Sequence, residues 1–343
     1  MQVALIGAGE FAKTHLEAYR RNPNVTVSWI CDPNLEAARN YADRYGIANV
    51  TANYEHALLD PAVSFVDITA PNYLHKPMAV RAMEAGKDVL CEKPMALNVQ
   101  ECLDMKLASE RTGRKLFVKY HQRFDPVHRR VKAMIESGQF PDPVMAMFTL
   151  FGNHIPSMSD PNHWRGNPAL CGGGCLFSSG SHVLDLIHSF FGKLKAVTAV
   201  ARQLVVNNPD KGDDNATVTM EFESGVVVNF IGCWTTDRWT WSKEIHNRHG
   251  SLRVEQDENK SNLLLLTKSS ATELLMEQPD WFNQSNYAAI DHFVDCMNDA
   301  AEPLYSLDEC IESMRLLELA YMSSEQGRRI IRNEINEAEG KAV

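Results

Sequence analysis

The sequence lacks long apolar runs, an excess of positive charge and regularly spaced cysteines. No run of about 18 apolar residues occurs, so no membrane-spanning helix is expected. The formal net charge is −10 and the pI is about 5.7, so we expect no broad contact with nucleic acid. The chain opens on an apolar stretch without a basic leader, which predicts a cytoplasmic protein.

The cysteines also argue against a metal site. None of the eight belongs to a Cys-x-x-Cys pair, and no matching Cys or His pair follows Cys171 and Cys175. We therefore expect free thiols in a reducing compartment and no bound metal.

Length and pattern predict two domains, because 343 residues are long for a single one. In residues 1–120, apolar runs alternate with helical periodicity, which predicts an α/β Rossmann domain with a doubly wound parallel sheet. Residues 121–343 carry strand-like runs in series, at 144–151, 196–206, 216–222, 226–234 and 251–255. Such a series predicts an α+β domain with an open, mostly antiparallel sheet.

A dinucleotide fingerprint follows the first predicted strand. Gly7, Gly9 and Ala12 form a G-x-G-x-x-A pattern that permits a tight turn, close approach of a pyrophosphate and close helix packing. Asp32 lies twenty residues after Ala12, where an acid bonds the adenosine ribose and repels a 2′-phosphate. We therefore expect NAD, with NADP less favoured. The alternative is that Asp32 is a turn residue before Pro33.

Lys93 stands at the edge of the sheet where ligands bind. The apolar run 88–91 is predicted to be a buried strand, and it ends in Glu92, Lys93 and Pro94. Open α/β sheets hold their ligands at the carboxyl ends of the strands, and Pro94 favours an extended Lys93. The alternative is a strand that simply ends in solvated charges.

A neighbouring strand end adds further candidates for the cofactor crevice. The predicted strand 64–69 ends at Thr69, and Pro71 and Asn72 follow it. His75 opens the next helix, and it either faces the cofactor or packs locally.

The second domain carries one histidine of interest. A glycine triplet at 172–174 precedes a predicted helical run at 175–191. On that run Ser178, His182 and Asp185 fall at i, i+4 and i+7, on one helix face. The alternative is a histidine that is satisfied within an apolar core.

Several motifs follow one another along nearly the whole chain: Gly7-x-Gly9-x-x-Ala12, Ala70-Pro71-Asn72-x-x-His75, the stretch 85–94 ending in Glu92-Lys93-Pro94, Arg123-Phe124-x-Pro126, Trp164-Arg165, Gly172-Gly173-Gly174 and Gly180-Ser181-His182-x-x-Asp185. Together they resemble the Gfo/Idh/MocA family, the relatives of glucose-fructose oxidoreductase and inositol dehydrogenase.

The resemblance implies an NAD-dependent oxidoreductase that acts on a secondary hydroxyl of a sugar, an inositol-like polyol or a sugar derivative. Lys93 would orient and polarise the reacting oxygen, His182 would serve as acid or base, and Asp185 would support the imidazole. We expect cofactor contacts from Gly7, Ala8, Gly9, Glu10, Phe11, Asp32, Thr69, Pro71, Asn72, His75, Glu92 and Lys93. The family also implies a homo-dimer or homo-tetramer formed through the second sheet.

Substrate contacts are expected from a loop at 152–174, where Trp164 can stack on a sugar and Arg165 can pair with an anionic group. Alternatively, Trp164 only anchors the loop. Tyr120, Arg123, Ser178 and Asp185 complete the predicted substrate set. Many relatives carry aspartate where this chain has Ser178, so a carboxylate is lost, although a hydroxyl still donates and accepts.

Two other functions remain open at this point. An NAD-dependent glycoside hydrolase would oxidise its sugar transiently and return the hydride. A non-catalytic sensor would bind NAD and a sugar without turnover; Lys93 and His182 argue against it, whereas Ser178 argues mildly for it. The direction of an oxidoreductase is open too, since reduction of a keto or imino sugar uses the same residues.

Overall fold

The computed structural model describes residues 1–160, 163–206, 212–267 and 272–334. These residues fall into two compact units. The first unit joins residues 1–124 with 283–311, and the second joins residues 125–282 with the chain from residue 312.

The late segment 283–311 therefore packs with the first unit. The predicted domain ranges, 1–120 for the cofactor and 121–343 for substrate and assembly, stay a prediction. Parts of the second range lie outside the described residues.

The first unit is built on a six-stranded sheet in the order β3-β2-β1-β4-β5-β6. All neighbouring strands pair in parallel. The strands are β1 (Gln2–Ile6), β2 (Thr26–Cys31), β3 (Asn49–Thr51), β4 (Val63–Ile68), β5 (Asp88–Glu92) and β6 (Leu116–Lys119). The helices are α1 (Glu10–Arg21), α2 (Leu35–Tyr45), α3 (Glu55–Leu58), α4 (His75–Glu84) and α5 (Val99–Thr112). This order confirms the predicted doubly wound Rossmann fold. The topological switch point, where the strand order reverses, lies between β1 and β4.

Local sequence explains where these helices begin. Asn34 and Asn98 cap α2 and α5, because their side-chain oxygens accept backbone N–H groups three residues later. Helix α1 begins after Gly9 with no side-chain cap, as expected for a helix N-terminus that receives an anion.

The second unit is built on a nine-stranded sheet in the order β14-β13-β12-β11-β7-β10-β9-β8-β15. Among the described strands of this sheet only β7 and β10 pair in parallel, so the sheet is mostly antiparallel, as predicted. Its strands are β7 (Met145–Asn153), β8 (Leu194–Arg202), β9 (Asn215–Phe222), β10 (Val227–Cys233), β11 (Thr235–Asn247), β12 (Gly250–Gln256), β13 (Lys260–Thr267), β14 (Thr272–Pro279) and β15 (Ile330–Ile331).

The remaining helices are α6 (Pro126–Glu136), α7 (Ile155–Ser159), α8 (Pro168–Cys171), α9 (Cys175–Ser178), α10 (Gly180–Phe191), α11 (Trp281–Met297) and α12 (Leu307–Gln326). None of the helices within the described ranges combines the length and the apolar character that crossing a membrane requires.

Two predicted elements differ from the structure. The strand expected at 196–206 ends at Arg202, because the Asp214 carboxylate accepts the N–H groups of Leu204, Val205 and Val206 and folds that segment away from the ladder. The helical run expected at 175–191 is interrupted at Ser179, whose hydroxyl accepts the indole N–H of Trp234 at 2.9 Å.

Candidate active site

The turn after β1 has a backbone shape that only glycine permits. Gly7 has a φ of +114°, and a Cβ atom there would lie 2.8 Å from the backbone nitrogen of Ala70. The Thr69 hydroxyl donates to the Gly7 carbonyl at 2.9 Å, which ties the end of β4 to the turn. At Gly9, in contrast, no heavy atom lies within 4 Å of the Cβ position. The turn therefore offers an open backbone surface to a pyrophosphate, and it fits a dinucleotide.

Asp32 is fixed beside this turn. One carboxylate oxygen accepts the N–H of Ala8 at 2.7 Å, and the other accepts the N–H of Asn34 at 2.7 Å. The carboxylate is partly exposed at the end of β2. A negative charge held here suits ribose hydroxyls and opposes a 2′-phosphate, which matches the expectation of NAD.

The remaining cofactor candidates near the turn lie just after the ends of β1 and β4. Glu10 is exposed and Phe11 is partly buried in the first turn of α1. Pro71 and Asn72 lead from β4 into a short 3-10 helix, Asn72–Leu74, with Asn72 buried. Their contacts with a cofactor stay predictions.

His75 is placed for local packing, one of its two predicted roles. The ring is fully buried, with Nδ1 2.8 Å from the Pro94 carbonyl oxygen and Nε2 3.0 Å from the Ala70 carbonyl oxygen. Burial lowers the pKa of His75, against the effect of these carbonyls. The ring thus joins the loop after β4 to the loop that carries Lys93.

Glu92 is held by neighbours inside its own unit. Its carboxylate is buried, and Oε2 accepts the backbone N–H of Lys93 at 3.1 Å. Its other oxygen, Oε1, lies 2.8 Å from Nε2 of His15 and 2.8 Å from Nζ of Lys119. Glu92 therefore makes a structural hydrogen bond to the backbone of Lys93, and a direct contact of Glu92 with the cofactor stays a prediction.

These contacts belong to a buried polar network under the carboxyl ends of β4, β5 and β6. Nδ1 of His15 lies 2.6 Å from Oδ2 of Asp67, and the Tyr19 hydroxyl donates to the same oxygen at 2.7 Å. Nζ of Lys119 also donates to Oδ1 of Asn286 at 2.6 Å, and it lies 2.7 Å from Nε2 of His15. The side chains that the network consists of are His15, Tyr19, Asp67, Glu92, Lys119 and Asn286.

Charge explains the protonation of this network. Burial opposes the charge of Glu92, but the Lys119 ammonium and the contact with His15 outweigh burial and hold its pKa well below the ordinary value. Burial also opposes the charge of His15, but Asp67 and Glu92 outweigh burial and Lys119, so the pKa of His15 is raised. The network therefore holds an ionised Glu92 at neutral pH.

In the second unit, the candidate residues lie on two short helices. Ser178 ends α9 and is buried, while His182 lies in the first turn of α10 and is partly exposed. Asp185 is fully buried and accepts the hydroxyl of Ser313 on α12 at 2.8 Å. The interruption at Ser179 means that the three residues do not share one regular helix. The pairing of Lys93 with His182 stays a prediction.

Two residues not predicted from the sequence hold the turn before α9. The Asp213 carboxylate accepts the N–H groups of Gly174 at 3.0 Å and Leu176 at 2.8 Å. Tyr321 donates to Asp213 at 2.6 Å and accepts the N–H of Phe177 at 3.1 Å. Burial raises the pKa of Asp213, and these hydrogen bonds limit the rise. The helices that carry Ser178 and His182 therefore start from a fixed turn.

The other substrate candidates are engaged with neighbours of their own unit. Tyr120 is buried, and its ring lies edge-on to Tyr305. Arg123 donates to Glu309 at 2.8 Å and lies over the Tyr305 ring. These contacts favour structural roles for both residues, and their predicted substrate contacts remain untested.

Trp164 and Arg165 form a local pair. The guanidinium of Arg165 lies 4.9 Å from the Trp164 ring centroid, and His163 stacks on the same ring at 6.3 Å. The pair is partly exposed, so both the stacking role and the anchoring role of Trp164 remain predictions.

The sequence contained weak signals for the missed residues. His15 falls on the buried face of α1, in register with Ala12, Leu16 and Tyr19, and Asp67 interrupts an apolar strand. A buried histidine and a buried aspartate both need polar partners inside the protein. Nothing near Lys119, Asp213 or Tyr321 indicated which partners they would meet.

No group of three or more His, Cys, Asp or Glu side chains is arranged to hold a metal ion within the described ranges. The eight cysteines are free thiols.

Two family models match the chain. Residues 1–120 match an oxidoreductase family with an NAD-binding Rossmann fold, and residues 128–253 match the GFO/IDH/MocA C-terminal domain. The chain is 26% identical to a D-apiose dehydrogenase of Paraburkholderia graminis, over 99% of this chain and 92% of the relative. It is 31% identical to a levoglucosan dehydrogenase of Pseudarthrobacter phenanthrenivorans, over 61% of this chain and 56% of the relative.

A solved structure of levoglucosan dehydrogenase in complex with NADH has the same fold. Its TM-score is 0.85 at 22% identity, and the match covers 96% of this chain and 98% of that one. These findings confirm the predicted family, the fold of both domains, the oxidoreductase class and NAD as cofactor. The relatives are named as dehydrogenases, so neither the glycoside hydrolase nor the sensor is favoured.

Proposed function

Because the chain belongs to the GFO/IDH/MocA family of NAD-binding oxidoreductases, we propose that it oxidises a secondary hydroxyl of a sugar or a related polyol. The observation that supports the proposal most directly is the loop after β5 that carries Lys93: His75 links its Pro94 to Ala70, and the preceding residue Thr69 binds the dinucleotide turn at Gly7. The names of the relatives, which act on D-apiose and levoglucosan, support a carbohydrate substrate.

The chemistry divides between a hydride and a proton. NAD, when bound, accepts the hydride from the carbon that carries the reacting hydroxyl. Lys93 holds and polarises the oxygen, and the base takes the hydroxyl proton as the carbonyl forms. We assign that base to His182, with Asp185 holding the region of α10 from which the imidazole projects.

The cofactor is proposed to lie on the turn from Gly7 to Ala12, with its adenosine ribose at Asp32. Glu92 and His75 are proposed to act on this site through the backbone that they hold. Ser178 in place of the usual aspartate leaves a hydroxyl toward the substrate, which suits neutral hydroxyl groups of a sugar.

We also propose that the protein works in the cytoplasm as a homo-dimer or homo-tetramer. Free cysteines suit a reducing compartment. Met145, Met147 and Val200 lie on one face of the second sheet and are 48%, 44% and 53% exposed, which is unusual for large apolar side chains. A Met147→Glu variant is expected to shift the mass measured by light scattering to that of a smaller species, and an unchanged mass would refute this interface.

The test of the activity is reduction of NAD+, followed at the nicotinamide absorbance, over a panel of aldoses, anhydrosugars, inositols and glycosides. We expect turnover with a member of the panel, and Lys93→Ala should lower kcat on the order of a thousandfold with NADH binding retained. Lys193→Ala is the matched control, because Lys193 is exposed and pairs with Glu223. Full turnover by Lys93→Ala would contradict the assigned role of Lys93.

A further inference from the structure

The backbone on both sides of Lys93 is held by buried ionisable side chains. The Glu92 carboxylate accepts the N–H of Lys93 at 3.1 Å, and Nδ1 of His75 lies 2.8 Å from the carbonyl oxygen of Pro94. A lysine has four side-chain torsions, so its amine is placed only as well as its backbone is fixed. These two contacts therefore fix the backbone position from which the Lys93 side chain extends.

The contact from Glu92 depends on a second lysine. Lys119 is fully buried, and its ammonium lies 2.8 Å from Oε1 of Glu92. His15 lies 2.8 Å from the same oxygen. Oε1 is thus held inward by the Lys119 ammonium and by the contact with the His15 ring, and Oε2 is left in position for the N–H of Lys93.

Stability alone is a poor explanation of this arrangement. Placing an ammonium and two carboxylates inside a protein costs several kcal/mol per ion before pairing, and apolar residues of similar volume often stabilise as well. Nonetheless the network spans five elements, from α1 through β4, β5 and β6 to Asn286 on α11. It lies directly beneath the strand end that carries Lys93.

We propose that Lys119 and His15 are positioning residues for the oxidation, acting on Lys93 through Glu92. They keep the Glu92 carboxylate ionised and turned inward, so that its second oxygen fixes the backbone N–H of Lys93. This inference rests on the proposed role of Lys93 in the reaction.

The charged neighbours of Glu92 determine how the network responds to pH. His15 faces it from α1, Lys119 from β6 and Asp67, through His15, from β4. Burial lowers the pKa values of His75 and His121, the latter to about 3, so both rings are neutral at the pH of an assay. Lys119 lowers the pKa of Glu92 and also that of His15, so these two are the groups whose titration a change at Lys119 alters.

Lys119→Met removes the charge that keeps Glu92 ionised. Burial then raises the pKa of Glu92, and a protonated carboxyl binds the N–H of Lys93 less well. We expect the Lys93 amide to exchange with solvent at least tenfold faster, as measured by nuclear magnetic resonance on protein labelled with 15N-lysine. Lys115→Met is the matched control, since Lys115 immediately precedes β6 and binds the end of α11 instead; there the rate should change less than twofold.

Kinetics separate positioning from a merely structural role. With the panel sugar that wild type oxidises, Lys119→Met should lower kcat at least tenfold and change KM and the Kd for NADH less than twofold. The acid limb of its kcat profile should move upward by at least one pH unit. Wild-type exchange at Lys93 together with an unchanged pH profile would overturn the proposal.

Two double variants decide the case even if Lys119→Met does not fold. Glu92→Gln with Lys119→Met removes both charges and keeps an oxygen that accepts the Lys93 N–H, so exchange and kcat should stay within threefold of wild type. Glu92→Leu with Lys119→Met removes that oxygen, so exchange should rise and kcat should fall at least tenfold. Equal behaviour of the two double variants would refute the proposal. Full turnover by Lys93→Ala would instead refute the proposed role of Lys93 in the reaction. Amide exchange at Lys93 in the Lys119 variants would still test whether Lys119 and Glu92 hold that backbone.

Discussion

Replacing Tyr321 by Phe removes one buried oxygen from the turn that precedes α9. In the structure this hydroxyl donates to the Asp213 carboxylate at 2.6 Å and accepts the N–H of Phe177 at 3.1 Å. Gly174 keeps a partner in the variant, because its N–H also donates to Asp213 at 3.0 Å. The variant therefore loses one hydrogen bond to a charged group and leaves one buried N–H without its acceptor.

The magnitude follows from these two losses. A hydrogen bond to a charged group contributes about 1.5–3 kcal/mol, and an unsatisfied buried donor costs about 1–3 kcal/mol. Since a water molecule can replace part of the loss, we expect the free energy of unfolding to fall by about 3 kcal/mol. This is a large share of the stability of an ordinary domain.

The measurement is urea unfolding followed by tryptophan fluorescence. Tyr45→Phe is the matched control, because it deletes a hydroxyl that donates to the Glu17 carboxylate at 2.7 Å and binds no backbone amide of a site element. The control should cost about 1 kcal/mol. A loss in Tyr321→Phe no greater than in the control would refute the reasoning that Asp213 and Tyr321 fix the turn.

Three other outcomes follow from the structure. Gly7→Ala should destabilise the first unit by about 3 kcal/mol, because it combines a positive φ with a backbone clash at 2.8 Å; a melting temperature within a degree of wild type would contradict this. Asp32→Ala should weaken NADH binding about tenfold and NADPH binding less, as fluorescence titration would show; an unchanged ratio would refute the role of the carboxylate. Burial lowers the pKa of His121 to about 3, so the unfolded chain binds more protons below about pH 6.5. Stability is thus complete above that pH and falls as pH drops toward 3. Between pH 7 and pH 5, His121→Leu should lose about 2 kcal/mol less free energy of unfolding than wild type, as measured by urea unfolding at both pH values. An equal loss in both proteins would contradict this.

Much of the first unit could be predicted from local patterns. The bounds of helix α2, Leu35–Tyr45, follow from local residues, because Asn34 caps its start and Gly46 ends it in a left-handed conformation. The central strands β1 and β4 are mostly apolar and buried, since both faces of the sheet are covered, and they are therefore plain in the sequence even though Asp67 interrupts β4.

The second sheet was harder to predict. Strand β11 runs from Thr235 to Asn247 with a register shift between Thr235 and Thr240, and its residues are mostly half-buried. A half-exposed strand with such an irregularity has no clean alternation, so β11 was not predicted. Strands β13 and β14 were missed as well.

By itself, the sequence determined the family, the dinucleotide turn and the position of Lys93 at a strand end, because these depend on short motifs with fixed spacing. Only the tertiary structure decided which groups inside the protein Glu92 and His75 contact. One oxygen of the Glu92 carboxylate lies against Lys119, 27 residues further along the chain, and against His15, and no local pattern indicates either contact. The physical reason is that a buried charge is stable only where an opposite charge meets it, and which residues meet is decided by the packing of distant strands and helices.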